Sequence, residues 1–131
     1  MKILVAEDTK LVRDLIRRIL SKLPFVTAIE QAEDVSDILA SVSKQDCDLV
    51  LLDLDFPSGK GFDVLRSIKQ ADRSPTVIIL SGHVDPLVHQ ACLATGAAFV
   101  LNKCADIGRL PDILMTLSCT VNERIPRHGA R

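Results

Sequence analysis

Five short apolar runs, each followed by a stretch with helical spacing, constrain this chain more than any other feature. The runs are Ile3–Ala6, Val26–Ile29, Leu49–Leu52, Thr76–Leu80 and Ala98–Leu101. They are almost continuously apolar. That pattern belongs to strands buried on both faces of a parallel sheet, not to the alternating strands of a half-exposed antiparallel one. Strands alternating with helices give an α/β fold.

The helical stretches have their own punctuation. Leu11, Val12, Leu15, Ile16, Ile19, Leu20 and Leu23 fall on one helical face, with Thr9 as the expected N-cap and Pro24 as the stop. Asp34 is expected to cap a helix carrying Val35, Ile38, Leu39 and Val42. A loop with Pro57, Gly59 and Gly61 precedes a helix with Phe62, Leu65 and Ile68. Asp85 and Pro86 open the fourth helix as N-cap and first helical residue, and Gly96 closes it. Pro111 interrupts the last period. Residues 106–110 therefore read as an irregular turn, with the fifth helix running from Pro111 through Leu114 and Leu117. Residues 122–131 contain Pro126, Gly129 and three Arg, and read as a frayed tail.

The expected architecture is a flavodoxin-like, doubly wound, five-stranded parallel sheet of order 2-1-3-4-5 with helices on both faces. Its domain spans 1–120, followed by a short tail or linker stub over 121–131. Hydrophobic content of 47% supplies a core and excludes disorder. With four Phe and no Trp or Tyr, the chain lacks a stacking platform for single-stranded nucleic acid. A net charge of −1 leaves no electrostatic footprint for DNA or an anionic membrane. No apolar run is long enough to span a bilayer, and the N-terminus lacks a signal-peptide pattern. Cys47, Cys92, Cys104 and Cys119 are widely spaced without a C-x-x-C pair, and read as reduced thiols of a cytoplasmic protein.

The chemistry gathers at the ends of the runs. Glu7 and Asp8 end the first, and Asp53 ends the third. In order 2-1-3-4-5 the sheet reverses between strands 1 and 3, so these carboxylates are expected to share the ligand-binding crevice. A like-charge pair at ~4 Å costs about 4 kcal/mol at an effective dielectric of 20. A hard divalent cation offsets that repulsion, and Mg²⁺, which takes oxygen ligands, fits. Ser81 follows the fourth run and Lys103 the fifth, on the same edge. A carboxylate nucleophile, acidic metal ligands, a hydroxyl and a fixed cation are the parts of phosphoryl transfer.

Glu7-Asp8, then Asp53-Leu54-Asp55-Phe56-Pro57 with Gly61, then Ser81-Gly82 and Lys103, make the chain resemble a response-regulator receiver domain of two-component signalling over residues 1 to about 120. The resemblance implies that Asp53 accepts phosphate. It assigns Glu7, Asp8, Asp53 and the backbone carbonyl of Asp55 to Mg²⁺, Ser81 to a phosphoryl oxygen, and Lys103 to the phosphoryl group. It implies a sensor histidine kinase or histidine phosphotransfer protein as donor, docking beside the first helix. A downstream effector or output domain would read the surface of the fourth helix, fifth strand and fifth helix, which also offers a homodimer interface. Direct contact with nucleic acid or membrane is not expected of this domain. The only catalysis implied is of its own phosphorylation and dephosphorylation.

One departure is the place three residues before Lys103, commonly aromatic in that family. It holds Val100, with Phe99 one place earlier on the opposite face unless a bulge realigns it. Asp55 and His83 flank the expected phosphoryl pocket and are candidates to set the lifetime of the acyl phosphate. Two other readings stand beside the receiver. Asp53-Leu54-Asp55 resembles the D-x-D of haloacid-dehalogenase-type phosphatases, although there the acidic pair follows the nucleophile. A pseudo-receiver would use the same fold as a binding module without phosphorylation.

Overall fold

The computed structural model describes residues 1–129 except 45, 46, 57–59 and 84, with side chains described as far as Cys119. Parallel strands β1 (Lys2–Ala6), β2 (Ala28–Gln31), β3 (Leu49–Asp53), β4 (Thr76–Ser81) and β5 (Phe99–Asn102) alternate with helices α1 (Lys10–Ser21), α2 (Val35–Ser43), α3 (Gly61–Lys69), α4 (Pro86–Thr95) and α5 (Leu110–Gly129). The sheet order is β2-β1-β3-β4-β5, as the apolar runs imply.

Alternate residues along each strand serve opposite faces of the sheet. Ile3, Val5, Leu49, Leu51, Ile78, Leu80 and Leu101 pack with Ile16 and Leu20 of α1 and with Leu110 and Leu114 of α5. Leu4, Ala6, Val50, Leu52, Val77 and Ile79 pack with Ile38 of α2, Leu65 and Ile68 of α3 and Cys92 of α4. Fully burying one such aliphatic side chain contributes about 1.5–3 kcal/mol. These two layers fix the strands, and with them the register that aligns their ends.

The caps follow the chemistry of their residues. Asp34 accepts a 2.9 Å bond from the Asp37 amide, and Asp37 accepts one from Glu33 at 3.0 Å. Asp85 accepts a 2.8 Å bond from the Leu87 amide. Gly96 ends α4 at φ 120°, where a Cβ is strained. Thr9 stands at the N-cap of α1, but its side chain makes no capping bond. The expected turn before the last helix is a 3-10 turn, Ile107–Arg109.

Two boundaries differ from the sequence reading. β2 begins at Ala28 because pairing, not apolarity, defines a strand: Lys2 lies opposite Ala28 and Val5 opposite Gln31. Val26 instead turns back to the Leu23 carbonyl while packing on the core. The frayed tail expected over 122–131 is helical through Gly129, because α5 continues past Pro126. Once a helix is nucleated, each further residue adds a bond, and nothing in Thr120–Ile125 stops it. The turn residues Pro57 and Gly59 lie outside the described residues.

β5 pairs with β4 without a bulge, Ile78 opposite Phe99 and Ile79 opposite Val100. Phe99 accordingly packs on the α1/α5 side and Val100 on the side of α2, α3 and α4. The offset between these two residues is therefore real in three dimensions, and no aromatic ring takes the Val100 place.

Candidate functional site

Register brings the candidate residues to one edge. Ala6 lies opposite Leu52, which places Glu7 beside Asp53 across the sheet reversal. Ser81 lies opposite Asn102, which delivers Lys103 one residue beyond. Glu7, Asp53 and Ser81 are buried, a rare state for such residues without partners.

Lys103 is the hub. Its Nζ lies 2.8 Å from Glu7 Oε1 and 3.0 Å from Asp53 Oδ2. Burial lowers the Lys103 pKa, but the bonds to Glu7 and Asp53 outweigh it and hold the ammonium above its ordinary value. Burial raises the pKa of Asp53, and the charge of Glu7 raises it further, against the pull of Lys103 and of the Asp55 amide. Lys103 thus already supplies part of the positive charge that the crowded carboxylates require.

The loops are tied to these groups. The Asp55 amide donates to Asp53 Oδ1 at 3.0 Å, and the Thr9 amide donates to Glu7 Oε2 at 2.9 Å. The Ser81 hydroxyl donates to the His83 carbonyl at 2.6 Å, so it is turned into its own loop and not onto Asp53. Asp8 and the Asp55 side chain are exposed. The structure therefore joins Glu7, Asp53 and Lys103 directly, and places Asp8, Asp55 and Ser81 around them. Among the described residues no three acidic, His or Cys side chains converge as a ready-made metal cage.

The donor set still suits a hard cation. Glu7 Oε1 is buried without an aligned hydrogen bond, and among the described residues Lys103 is the one cation within ion-pair distance of it. Glu7, Asp8 and Asp53 offer only oxygen, the ligand type Mg²⁺ takes while keeping waters.

One contributor escaped the sequence reading. Arg13 reaches the carbonyls of Glu7 and Asp8, each at 3.4 Å, and steadies the acidic turn. Its only signal is a cation on the first turn of the helix after an acidic pair. Gly61, which the sequence offers as part of the motif, has a steric role that the sequence does not state. A Cβ there would lie 2.2 Å from the Leu54 carbonyl oxygen, and its amide donates to that oxygen at 3.0 Å. Only glycine lets α3 approach the loop after Asp53 so closely. Beside that loop, Leu54, Asp55, Phe62, Val88 and Ala91 line a groove of about 390 Å³.

A doubly wound sheet with an acid–lysine crevice at its carboxyl edge is the architecture of a receiver-like α/β domain. Residues 3–115 match the response regulator receiver domain, and the chain belongs to that family. It is 33% identical over 128 residues to the sensory/regulatory protein RpfC of Xanthomonas campestris, covering 94% of this chain and 17% of that protein. The chain spans between 17% and 47% of the length of the curated relatives it matches. Among solved structures, it resembles the signal receiver domain of a DNA-binding response regulator (merR) from Colwellia psychrerythraea at TM-score 0.80. There the identity is 24%, covering 89% of this chain and 97% of that one. It also resembles the Mn²⁺-bound form of response regulator Rcp1 at TM-score 0.72 and 22% identity, covering 88% of this chain and 90% of that one. The chain is thus a receiver domain of two-component signalling. Among the described residues no helix is long and apolar enough to cross a membrane.

Proposed function

We propose that Asp53 accepts a phosphoryl group from a phosphohistidine on a sensor kinase or phosphotransfer protein, and that the modification changes the partner-binding surface of the domain. The observation that carries this reading is the buried Asp53 carboxylate held at 3.0 Å by Lys103 on the carboxyl edge of the sheet. An ionised Asp53 oxygen attacks phosphorus in line. The phosphorus–nitrogen bond to the imidazole breaks, and its electron pair stays on the imidazole nitrogen. Lys103 faces the charge that gathers on the phosphoryl oxygens. Ser81 leaves the His83 carbonyl to donate to one of those oxygens, which draws the 82–85 loop toward the crevice. Val84 of that loop lies outside the described residues.

Glu7, Asp8, Asp53 and the Asp55 carbonyl would hold Mg²⁺, which supplies further neutralisation of the transferring group. The Mn²⁺-bound Rcp1 neighbour and the oxygen-only donor set support this assignment. Asp55 and His83, flanking the pocket, set how long the acyl phosphate lasts. The α4–β5–α5 surface, with Leu87 and Met115 exposed, is where an effector, an output domain or a second copy would read the change.

Intact-mass measurement with acetyl phosphate and Mg²⁺ tests the reading. One phosphoryl group is expected on the chain and none on Asp53→Asn. Steady turnover of the donor at Asp53→Asn, or no modification of either, refutes it, the latter in favour of a pseudo-receiver. Because burial raises the Asp53 pKa, its nucleophilic form is lost on acidification at a pH above 3.8. The phosphorylation rate should fall there accordingly. Melting temperature should rise with Mg²⁺, because the ion at a hundred times its dissociation constant adds about 2.7 kcal/mol of stability.

A further inference from the structure

The turn that carries Lys103 out of the sheet is held in a way that the core does not explain. β5 ends at Asn102, opposite Ser81, so Lys103 stands beyond the last paired residue. No residue from Asn102 to Asp106 is a proline, and the two apolar ones, Cys104 and Ala105, are exposed. Neither a ring nor apolar burial fixes the path of the chain here.

Side chains fix it instead. Asn102 Oδ1 accepts from the Cys104 amide at 2.8 Å and from the Ala105 amide at 2.9 Å. Asp106 Oδ2 accepts from the Asn102 amide at 2.9 Å, and the Asp106 amide donates back to the Asn102 carbonyl at 2.9 Å. The Lys103 amide donates to the Ser81 carbonyl at 2.9 Å. Every amide of the turn thus has an acceptor, and three of the five bond to a side-chain oxygen of Asn102 or Asp106. Asp106 also precedes the 3-10 turn Ile107–Arg109, at the place where a carboxylate ordinarily accepts from the amides that follow it, yet it makes no capping bond there. Its Oδ1 lies 3.7 Å from Arg109 Nη1, while Oδ2 turns back across the loop to β5. A role confined to starting α5 does not require that reversal.

A lysine side chain does not place itself. Its ammonium rides on a flexible four-carbon stem. Here Nζ is shared between Glu7 Oε1 at 2.8 Å and Asp53 Oδ2 at 3.0 Å, which demands a fixed point of departure at Cα. We propose that Asn102 and Asp106 are positioning residues for phosphoryl transfer: they clamp the turn that fixes the Lys103 backbone, and through it the ammonium between Glu7 and Asp53. The proposal rests on the reading of Asp53 as phosphoryl acceptor and adds two residues that act through Lys103. The clamp is reciprocal, since each residue bonds the backbone of the other, so loss of either opens the same turn. An amide at 102 accepts two bonds without setting a second charge beside the Asp106 carboxylate.

The test measures phosphorylation of the whole chain by acetyl phosphate with Mg²⁺. Asn102→Ala and Asp106→Ala are each expected to slow it about tenfold, and Lys103→Met about a hundredfold. Asn102→Asp and Asp106→Asn keep the accepting oxygens and should restore most of the loss. In the Lys103→Met chain, Asn102→Ala should cause no further slowing, because nothing remains to be positioned, whereas a turn that merely supports the fold would slow both chains alike. If Asn102→Ala does not fold, Asn102→Gln takes its place, since it sets the accepting oxygen one methylene away from the turn. Wild-type rates in the alanine variants, equal slowing in both backgrounds, or failure of every variant that loses these bonds to fold overturns the proposal. A second measurement needs no phosphorylation: hydrogen exchange of the Lys103 ammonium, followed by its nitrogen-15 resonance, should be faster in Asn102→Ala and Asp106→Ala than in the wild-type chain. Unchanged exchange overturns the proposal even where the double variant does not fold. If acetyl phosphate leaves the wild-type chain unmodified, the Asp53 reading falls, and exchange alone decides the clamp: faster in the variants upholds it, equal overturns it.

Discussion

The interior of the sheet and its carboxyl edge are built from the same strands by opposite rules. Inside, β3 contributes Leu49, Val50, Leu51 and Leu52, all buried among apolar neighbours. One residue later the same strand delivers Asp53, equally buried but facing Lys103 and Glu7. Dispersion and desolvation favour every contact in the first region. In the second, desolvation opposes each charge and only mutual pairing offsets it. The contrast teaches that the crevice is held in place by the core and is itself electrostatically uneasy, a condition suited to a group that must be reactive.

The sharpest way to break this contrast is to remove the hub. Lys103→Met leaves Glu7 and Asp53 buried without a cation, and should destabilise the domain by about 3–5 kcal/mol at neutral pH in denaturant titrations. Adding Asp53→Asn should return much of that loss, a coupling that a double-mutant cycle measures. The sign of the pH effect follows from the raised Lys103 pKa. Its contribution is complete below 10.5 and disappears as pH climbs through the higher folded value. The wild-type chain should therefore lose stability on that alkaline limb, and Lys103→Met should not show that component.

The matching change inside the sheet is Leu51→Ala, expected to cost about 2–5 kcal/mol with no dependence on pH between 5 and 9. A pH-dependent loss there would erase the distinction between the two regions. Where they meet, Gly61→Ala pushes a methyl into the Leu54 backbone. It should cost about 1–3 kcal/mol, and it should also slow phosphorylation by acetyl phosphate, whereas a purely structural role would leave that rate unchanged. The smallest effect belongs to Asp85→Ala. Loss of its bond to the Leu87 amide should cost about 1 kcal/mol in thermal unfolding, with Asp34→Ala as the comparison at the start of α2.

The interior was the more legible region. Parallel strands buried on both faces leave near-continuous apolar runs, and those runs located β3 and β4 nearly to the residue. β2 was misplaced by two residues because Val26 packs on the core without pairing. The edge was legible as a set of positions, since the candidate residues end or closely follow the apolar runs. Its internal partners were not. That Lys103 bridges Glu7 and Asp53, that Ser81 bonds the His83 carbonyl, and that Arg13 steadies the acidic turn are matters of rotamer and loop path. Periodicity carries no information about either. The end of α5 was misread because Pro126 and Gly129 weigh heavily as breakers in sequence, yet the helix runs on through Gly129.

The two glycines flanking the crevice give it unequal walls. At Gly61 the space beside the backbone is filled by Leu54, while at Gly82 a Cβ would meet nothing within 4 Å. The side toward α3 is closely packed against the loop after Asp53. The side beyond β4 has space for a side chain, so substitution is tolerated sterically at Gly82 and refused at Gly61.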